Sequence, residues 1–399
     1  MPAFIFPGQG SQRPGMGRLW RDHPSWDVVQ DASDIAGRDL EHLLIDAGAE
    51  ELTETRNAQL ATFVMGLVVL DAVERLGIEP TACAGHSLGE YTALVAAGAV
   101  GFEEAVRLVT ERGEAMQASA EECPGTMLAL AGVEDEIARI ACRRADGDVW
   151  LANSNAPHQC VIAGRPDDAF RAAGIARELG ATSVSPLAVS GAFHTPLMAS
   201  AQPRLRKALE VTGFYPLDVP VVANVDALPH DAAGEWPSLL SAQLRSPVRW
   251  RQSVLSLAAV MRTGDWDGDG LFCELGPGGP LSTMVRATVP EAVTLAIAQP
   301  NDLHVLVAAL TGGTAVPPEA AHDHGHQGER LYVFERLIVS PRAGIFELPP
   351  DAEVAVGASG AAPGASRALQ IGDLVGLVSG TEVRSSFAGD LMGVLAHPG

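Results

Sequence analysis

The sequence predicts an α/β protein of two subdomains, followed by a linker and a small all-β piece. Three observations lead there. Gly85-His86-Ser87-Leu88-Gly89-Glu90 follows the small residues Ala82, Cys83 and Ala84 and precedes a helix-like run from Tyr91 to Ala97. That context is strand, sharp turn, helix, the setting of a G-x-S-x-G elbow. From Gly125 the pattern changes, with strand-like Thr126 to Ala131, helical Glu134 to Arg144, and strand-like Val149 to Asn153 and Gln159 to Ala163. Helical Pro166 to Leu179 and strand-like Thr182 to Leu187 complete it. This β-α-β-β-α-β order is the ferredoxin-like arrangement, set between the elbow half and the segments after Val189. Gly312 to Gly328 then lacks any apolar period and reads as a linker.

The remaining elements come in chain order. Phe4-Ile5-Phe6 is a short strand running into Pro7-Gly8-Gln9-Gly10-Ser11-Gln12. A glycine-flanked turn there either aims backbone amides at a site or is an ordinary N-terminal loop. Leu19 to Leu44 has helical spacing, and Asn57 to Leu76 reads as a strongly apolar, buried helix. Phe102 to Gln117 is a further helix with Ala105, Leu108, Val109 and Met116 on one face. Arg112 lies in it, followed at once by Gly113. An arginine on a helix is usually solvated, but the glycine suggests that something approaches closely. Pro220 to Val225 and Leu271 to Leu275 are strands, the second closed by Gly276-Pro277-Gly278-Gly279. A helix from Pro280 to Ala287, a strand from Ala292 to Ala298 and a helix to Leu310 end this part.

Composition narrows the function. The 399 residues suit two or three domains with a large core, and 47% hydrophobic content argues against disorder over most of the chain. A net charge of −22 argues against nucleic acid or an anionic membrane as the main partner. The longest apolar run, Leu60 to Leu70, is too short to span a bilayer. Met1 to Phe6 has no basic leader and reads as no secretory signal. Five scattered cysteines without a C-x-x-C pair fit a reducing compartment and argue against zinc and disulfides, so a cytoplasmic protein is expected.

The elbow exposes the Ser87 hydroxyl and leaves the amide of Leu88 free at a helix start to stabilise an oxyanion. A base must be found among eleven histidines. His86 is adjacent in the turn and would point away from the serine. His322, His324 and His326 lie in the linker, where a metal site is not expected. His23, His42, His158, His230, His304 and His397 have no comparable setting. His194, in Val189-Ser190-Gly191-Ala192-Phe193-His194-Thr195-Pro196, sits in a turn after a strand and before a helix, at a subdomain junction. It is the best placed, with a structural histidine as the alternative.

Four features stand in one order: Phe6-Pro-Gly-Gln-Gly-Ser-Gln12, Gly85-His-Ser-Leu-Gly-Glu90, Arg112-Gly113 and Gly191-Ala-Phe-His194. Together they resemble the malonyl-CoA:acyl-carrier-protein transacylases, including polyketide synthase acyltransferases. Asn224 in Pro220-Val-Val-Ala-Asn-Val225, Gln243 before Ser246-Pro-Val248, and Glu274-Leu-Gly-Pro-Gly278 are similar to that family too. The resemblance covers residues 1 to about 312. It implies an α/β-hydrolase-like large subdomain over 1–124 and 189–312, an inserted ferredoxin-like subdomain over 125–188, and an active site between them. By the same resemblance Ser87 is the nucleophile, His194 its base, and the amides of Gln9 and Leu88 the oxyanion hole. Arg112 would grip the malonyl carboxylate, the Gln243 carbonyl would orient His194, and Phe193 and Asn224 would contact substrate. Malonyl-CoA and an acyl carrier protein are the implied partners, in fatty acid or polyketide synthesis, with no cofactor and no metal. A serine hydrolase or thioesterase acting on carrier-bound acyl chains is the competing enzyme. A docking protein that has merely kept the fold is disfavoured by intact Ser87, His194 and Arg112.

After the linker at 313–329, residues 330–399 contain two similar stretches, Val339 to Phe346 and Arg384 to Leu391, around a strand at Ile371 to Val378. They resemble the small barrel-sandwich β domain of biotinyl and lipoyl carriers. Such a carrier needs an acceptor lysine, and the chain's only lysine is Lys207. A covalent-carrier role is therefore excluded.

Overall fold

A computed structural model describes residues 2–189, 191–262 and 270–311, with five short strands between 346 and 391. The chain divides into two compact units, Met1–Ala72 with Glu79–Leu310, and Val73–Ile78 with Thr311–Gly399. The first holds two sheets.

The larger sheet has six strands. Its middle is β1 (Ala3–Phe6), wholly buried, between β2 (Ala82–Gly85) and the later strand β9 (Leu271–Leu275). Strands buried on both faces are expected to be apolar runs joined by helical crossovers, and these are, except for the buried Glu274 in β9. The helices α1 (Asp27–Ala36), α2 (Leu40–Ile45), α3 (Ala49–Thr53) and α4 (Thr55–Glu74) connect β1 to β2. Among the described residues α4 alone is long and apolar enough to cross a membrane, and 89% of its apolar window is buried inside the protein. It is the central core helix that the apolar stretch from Asn57 predicts.

After β2 come α5 (Gly89–Ala96) and α6 (Phe102–Glu122). The chain then forms a second sheet from β3 (Thr126–Ala131), β4 (Val149–Ala156), β5 (Gln159–Gly164) and β6 (Ser183–Pro186). Helices α7 (Asp135–Ala145) and α8 (Pro166–Glu178) lie between its strands in sequence. The order is β4-β5-β3-β6 and every pairing is antiparallel. Alternation along β3 explains its face: Leu128 and Leu130 enter one core with Ile162 and the alanines Ala138, Ala141, Ala169, Ala172 and Ala173. Small residues on both helices allow that close packing.

The chain returns through α9 (Gln202–Val211), β7 (Val221–Val222), β8 (Pro229–His230), α10 (Trp236–Gln243) and α11 (Trp250–Arg262). After β9 it finishes the sheet with α12 (Pro280–Thr288), β10 (Val293–Ile297) and α13 (Asp302–Thr311). The order is β10-β9-β1-β2-β7-β8, parallel except for the edge strand β8. The segment between α10 and α11 pairs with the edge of the second sheet. Val248 donates its N–H to Ala152 at 2.9 Å and accepts from Ser154 at 2.8 Å, extending β4.

Three of the short C-terminal strands, Phe346–Glu347, Leu374–Val378 and Thr381–Arg384, pair antiparallel, as do Arg367–Leu369 and Gly389–Leu391. The strand expected over Ile371 to Val378 is described from Leu374. The linker at 313–329, its histidines and the rest of 330–399 lie outside the described residues, and with them the likeness to a carrier domain.

Candidate active site

In parallel register Phe6 pairs with Gly85, so β1 and β2 end side by side and their loops leave together. Sites in parallel sheets form at such carboxyl ends. The turn after β2 is crowded to the limit. A Cβ on Gly85 would lie 1.9 Å from the carbonyl carbon of Gly89, and one on Gly89 would lie 2.0 Å from the Phe6 oxygen. Only glycine fits either place. Ser87 between them is held at φ 53°, a left-handed conformation that a non-glycine residue adopts at a cost. The turn therefore stores strain in order to present one hydroxyl.

His194 also has a left-handed backbone, at φ 62°. Its Nε2 is 2.8 Å from Ser87 Oγ, and its Nδ1 is 2.9 Å from the main-chain oxygen of Gln243. A carbonyl can only accept, so Nδ1 carries the proton and Nε2 offers its lone pair to the hydroxyl. Burial pushes the His194 pKa down to about 3, with the Gln243 carbonyl opposing and Arg112 reinforcing the shift. The imidazole is thus a neutral base at physiological pH. Among the described residues no carboxylate stands behind it; the backbone carbonyl of Gln243 takes that place.

Arg112 is buried to 1% exposure on α6. Its Nη2 donates to Ser87 Oγ at 3.0 Å and to Gln243 Oε1 at 2.9 Å, and its Nη1 donates to Gln59 Oε1 at 2.5 Å. The Tyr91 ring lies 5.1 Å beneath the guanidinium, and Nε has no partner. Gly113 shows the close approach expected of it: a Cβ there would be 3.1 Å from the Arg56 Cα, at the start of α4. A buried guanidinium with a spare N–H and no paired carboxylate has the chemistry to receive an anion.

Among the described residues, the main-chain N–H groups of Gln9 and Leu88 donate to no protein acceptor. Gln9 stands in the loop after β1 and Leu88 at the start of α5, on the two loops that the register brings together. The Gln9 side chain also buries an Nε2 without a partner. Phe193 is 4% exposed, its ring packed so closely on Gly191 that a Cβ there would lie 2.5 Å from it.

Asn224 is placed differently from the substrate contact expected of it. Its Oδ1 accepts from Ser87 N–H at 2.7 Å, its Nδ2 donates to the Gly85 oxygen at 2.7 Å, and the residue is fully buried. Both ends of the amide are committed to the elbow backbone, so Asn224 lies behind the nucleophile. Gln243 does more than orient His194 through its carbonyl. Its Nε2 donates to the Ser87 oxygen at 2.9 Å and to Glu90 Oε2 at 2.6 Å, while its Oε1 holds Arg112.

Sequence reasoning assigns no role to Gln59, Tyr91 or Glu90. Gln59 has a visible signal, an amide just before the apolar run of α4. Glu90 is fully buried within α5, whose other residues are nearly all apolar. Burial raises its pKa from 4.5 to about 7, against the bonds from Asn224 and Gln243 and the charge of Arg112. His86 turns away from Ser87 as expected: its Nε2 is 3.0 Å from Asn155 Oδ1 on β4, and its ring leans on Trp250. The arginines near 250 are partly tied down, Arg251 to Glu134 and Arg245 to Gln202. Among the described residues no cluster of His, Cys, Asp and Glu has the makings of a metal site, and all five cysteines are free thiols.

Comparison with known proteins agrees with this arrangement. Residues 3–265 match the acyl transferase domain family. The malonyl CoA-acyl carrier protein transacylase of Bacillus subtilis (strain 168) is 37% identical over 313 residues, which is 77% of this chain and 96% of that protein. The crystal structure of the malonyl-CoA:acyl carrier protein transacylase of Xanthomonas oryzae pv. oryzae is 36% identical with a TM-score of 0.72, over 77% of this chain and 97% of that one. A malonyl-transacylase solved in complex with its type II polyketide acyl-carrier protein is 34% identical with a TM-score of 0.72, over 78% and 99%. An elbow serine paired to a histidine, a buried arginine beside it, and relatives matched over nearly their whole length lead to one assignment: this chain belongs to the malonyl CoA-acyl carrier protein transacylase family of acyl transferases.

Proposed function

We propose that Ser87 carries a malonyl group between two thiols, from coenzyme A to the phosphopantetheine arm of an acyl carrier protein. The observation that carries this is Arg112, a buried guanidinium bonded to the nucleophile itself. A hydrolase of neutral acyl groups has no use for a charge there.

His194 Nε2 takes the hydroxyl proton as Ser87 Oγ adds to the thioester carbonyl. The oxyanion settles on the amides of Gln9 and Leu88, each donor contributing about 2.7–4 kcal/mol. The C–S bond then breaks, and coenzyme A leaves with the proton from His194. The carrier thiol runs the same steps backwards, giving its proton to His194, adding to the ester and returning Ser87 as the alcohol. A thiol of pKa about 8.5 is a far easier leaving group than an amine, which is why a carbonyl behind His194 suffices.

Arg112 serves the acyl group throughout. One Nη1 hydrogen is held by Gln59 and one Nη2 hydrogen by Gln243, which leaves Nε, the other Nη1 hydrogen and the Nη2 hydrogen now resting on Ser87 for the malonyl carboxylate. Phe193, beside His194, would crowd a 2-methyl branch. We read the second sheet as a ferredoxin-like subdomain inserted over 125–188 in an α/β-hydrolase-like core, its strand order supporting this.

The test is transfer from a panel of acyl-CoAs to a carrier protein. Malonyl is expected to exceed acetyl widely and methylmalonyl by roughly 1–3 kcal/mol, the range for one methyl group. Equal use of acetyl and malonyl would contradict the role of Arg112.

A further inference from the structure

Ser87, His194 and Arg112 are linked through Asn224 and Gln243 to one side chain that touches none of the reacting atoms. Glu90 Oε2 accepts from Gln243 Nε2 and Oε1 accepts from the main-chain N–H of Asn224, each at 2.6 Å. Gln243 in turn holds Arg112 through Oε1 and His194 through its main-chain oxygen. Asn224 holds the Ser87 N–H. The donor and acceptor pattern fixes how the Gln243 amide must face. Arg112 can only donate, while the Ser87 carbonyl and an ionised Glu90 can only accept, so Oε1 is directed to the arginine and the NH2 to the other two. Among these partners Glu90 alone changes character on protonation.

We propose that the Glu90 carboxylate is a positioning residue for malonyl selectivity, holding the Gln243 amide in the orientation that keeps Arg112 on the acyl pocket. This rests on Arg112 receiving the malonyl carboxylate. Both of Glu90's partners are donors, so a protonated carboxyl, one of whose oxygens now carries a hydrogen, accepts from them less well than the carboxylate does. The Asn224 N–H belongs to the backbone and cannot move, so the Gln243 side chain is the one that yields. Its NH2 then rests on the Ser87 carbonyl alone, and the amide offers Arg112 a less firmly fixed oxygen.

The surroundings leave Glu90 as the group poised to titrate in the middle range. Arg112 on α6, Tyr91 on α5 and Asp226 beyond β7 face it, with His194 and His86 close to the same network. Burial pushes Tyr91 up to about 12 and His194 down to about 3, and lowers His86, while Glu90 rises to about 7. Among the described residues His230, raised above its ordinary value against burial by Glu235 and Asp226, is a competitor, linked to Glu90 through Asp226.

Glu90→Gln imitates the protonated acid. At pH 8, kcat/KM for malonyl transfer by the full chain is expected to fall about tenfold to a hundredfold, since misplacement by about 1 Å can cost the larger figure. Acetyl transfer is expected to change much less, so the selectivity ratio falls. At pH 5.5 wild type and variant should converge, because Glu90 is then protonated in the wild type as well. In the wild type alone, selectivity should decline as pH drops through about 7, a readout that does not depend on the variant folding. A variant that keeps wild-type selectivity at pH 8, or one equally impaired at both pH values, would overturn the proposal. Persistence of the pH step in Glu90→Gln would assign it to His230 and overturn it too. A wild type without any malonyl preference would overturn this proposal together with the function it rests on, whereas the other outcomes concern Glu90 alone.

Discussion

Ser87→Ala is expected to abolish both acyl-enzyme formation and transfer to the carrier. The elbow is built for this one hydroxyl: the left-handed backbone, the two glycines without room for a Cβ, and the His194 lone pair at 2.8 Å have no other use. Alanine should fold at least as well, since its smaller side chain fits the same turn and leaves His194 its bond to the Gln243 carbonyl. What remains should be the contribution of substrate binding and the oxyanion amides, which in dismantled serine sites is about 10³–10⁴-fold over water. Turnover by intact-carrier assay, with circular dichroism to confirm the fold, measures it. Transfer at even a tenth of the wild-type rate would remove Ser87 as nucleophile.

Arg112→Ala is the second large effect, and its size depends on the substrate. Without the guanidinium a malonyl carboxylate enters a dry pocket unpaired, a loss on the order of 3–5 kcal/mol, or about a hundredfold or more in kcat/KM. Acetyl makes no such bond. Its transfer should change little, because alanine also removes the Arg112 bond to Ser87 Oγ, a bond that any acyl transfer must break. The malonyl-to-acetyl ratio is expected to collapse, not merely the rate. Equal losses for both substrates, read in parallel assays, would mean that Arg112 supports Gln59 and Gln243 and not the acyl group.

Much of this is legible in the sequence because it is local. The elbow needs small residues at fixed offsets, and Gly85, Ser87 and Gly89 state them directly. The β-α-β-β-α-β order over 125–188 comes from alternation and length alone. Arg112 draws notice through Gly113, whose missing side chain lets α4 come within 3.1 Å of a would-be Cβ. The amide network is harder to read. Gln243 and Asn224 lie 153 and 134 residues from Glu90, and bonds of that span leave no periodic trace. Asn224 is expected at the substrate only through the family resemblance, since an asparagine in an apolar strand signals no more than that its amide has partners. Which partners they are depends on the fold. Glu90 escapes notice for a related reason: at the start of a helix an acidic residue has a sufficient explanation in the helix dipole.

The central claim is a covalent malonyl-serine that waits for a thiol. It is tested most directly by mixing the chain with malonyl-CoA alone, following free coenzyme A, and mapping the modified peptide by mass. One burst of thiol, about equal to the enzyme, with malonyl on the peptide containing Ser87 and further release only when carrier protein is added, is the predicted result. Continuous release of coenzyme A without carrier, or a malonyl adduct on any other residue, would contradict it.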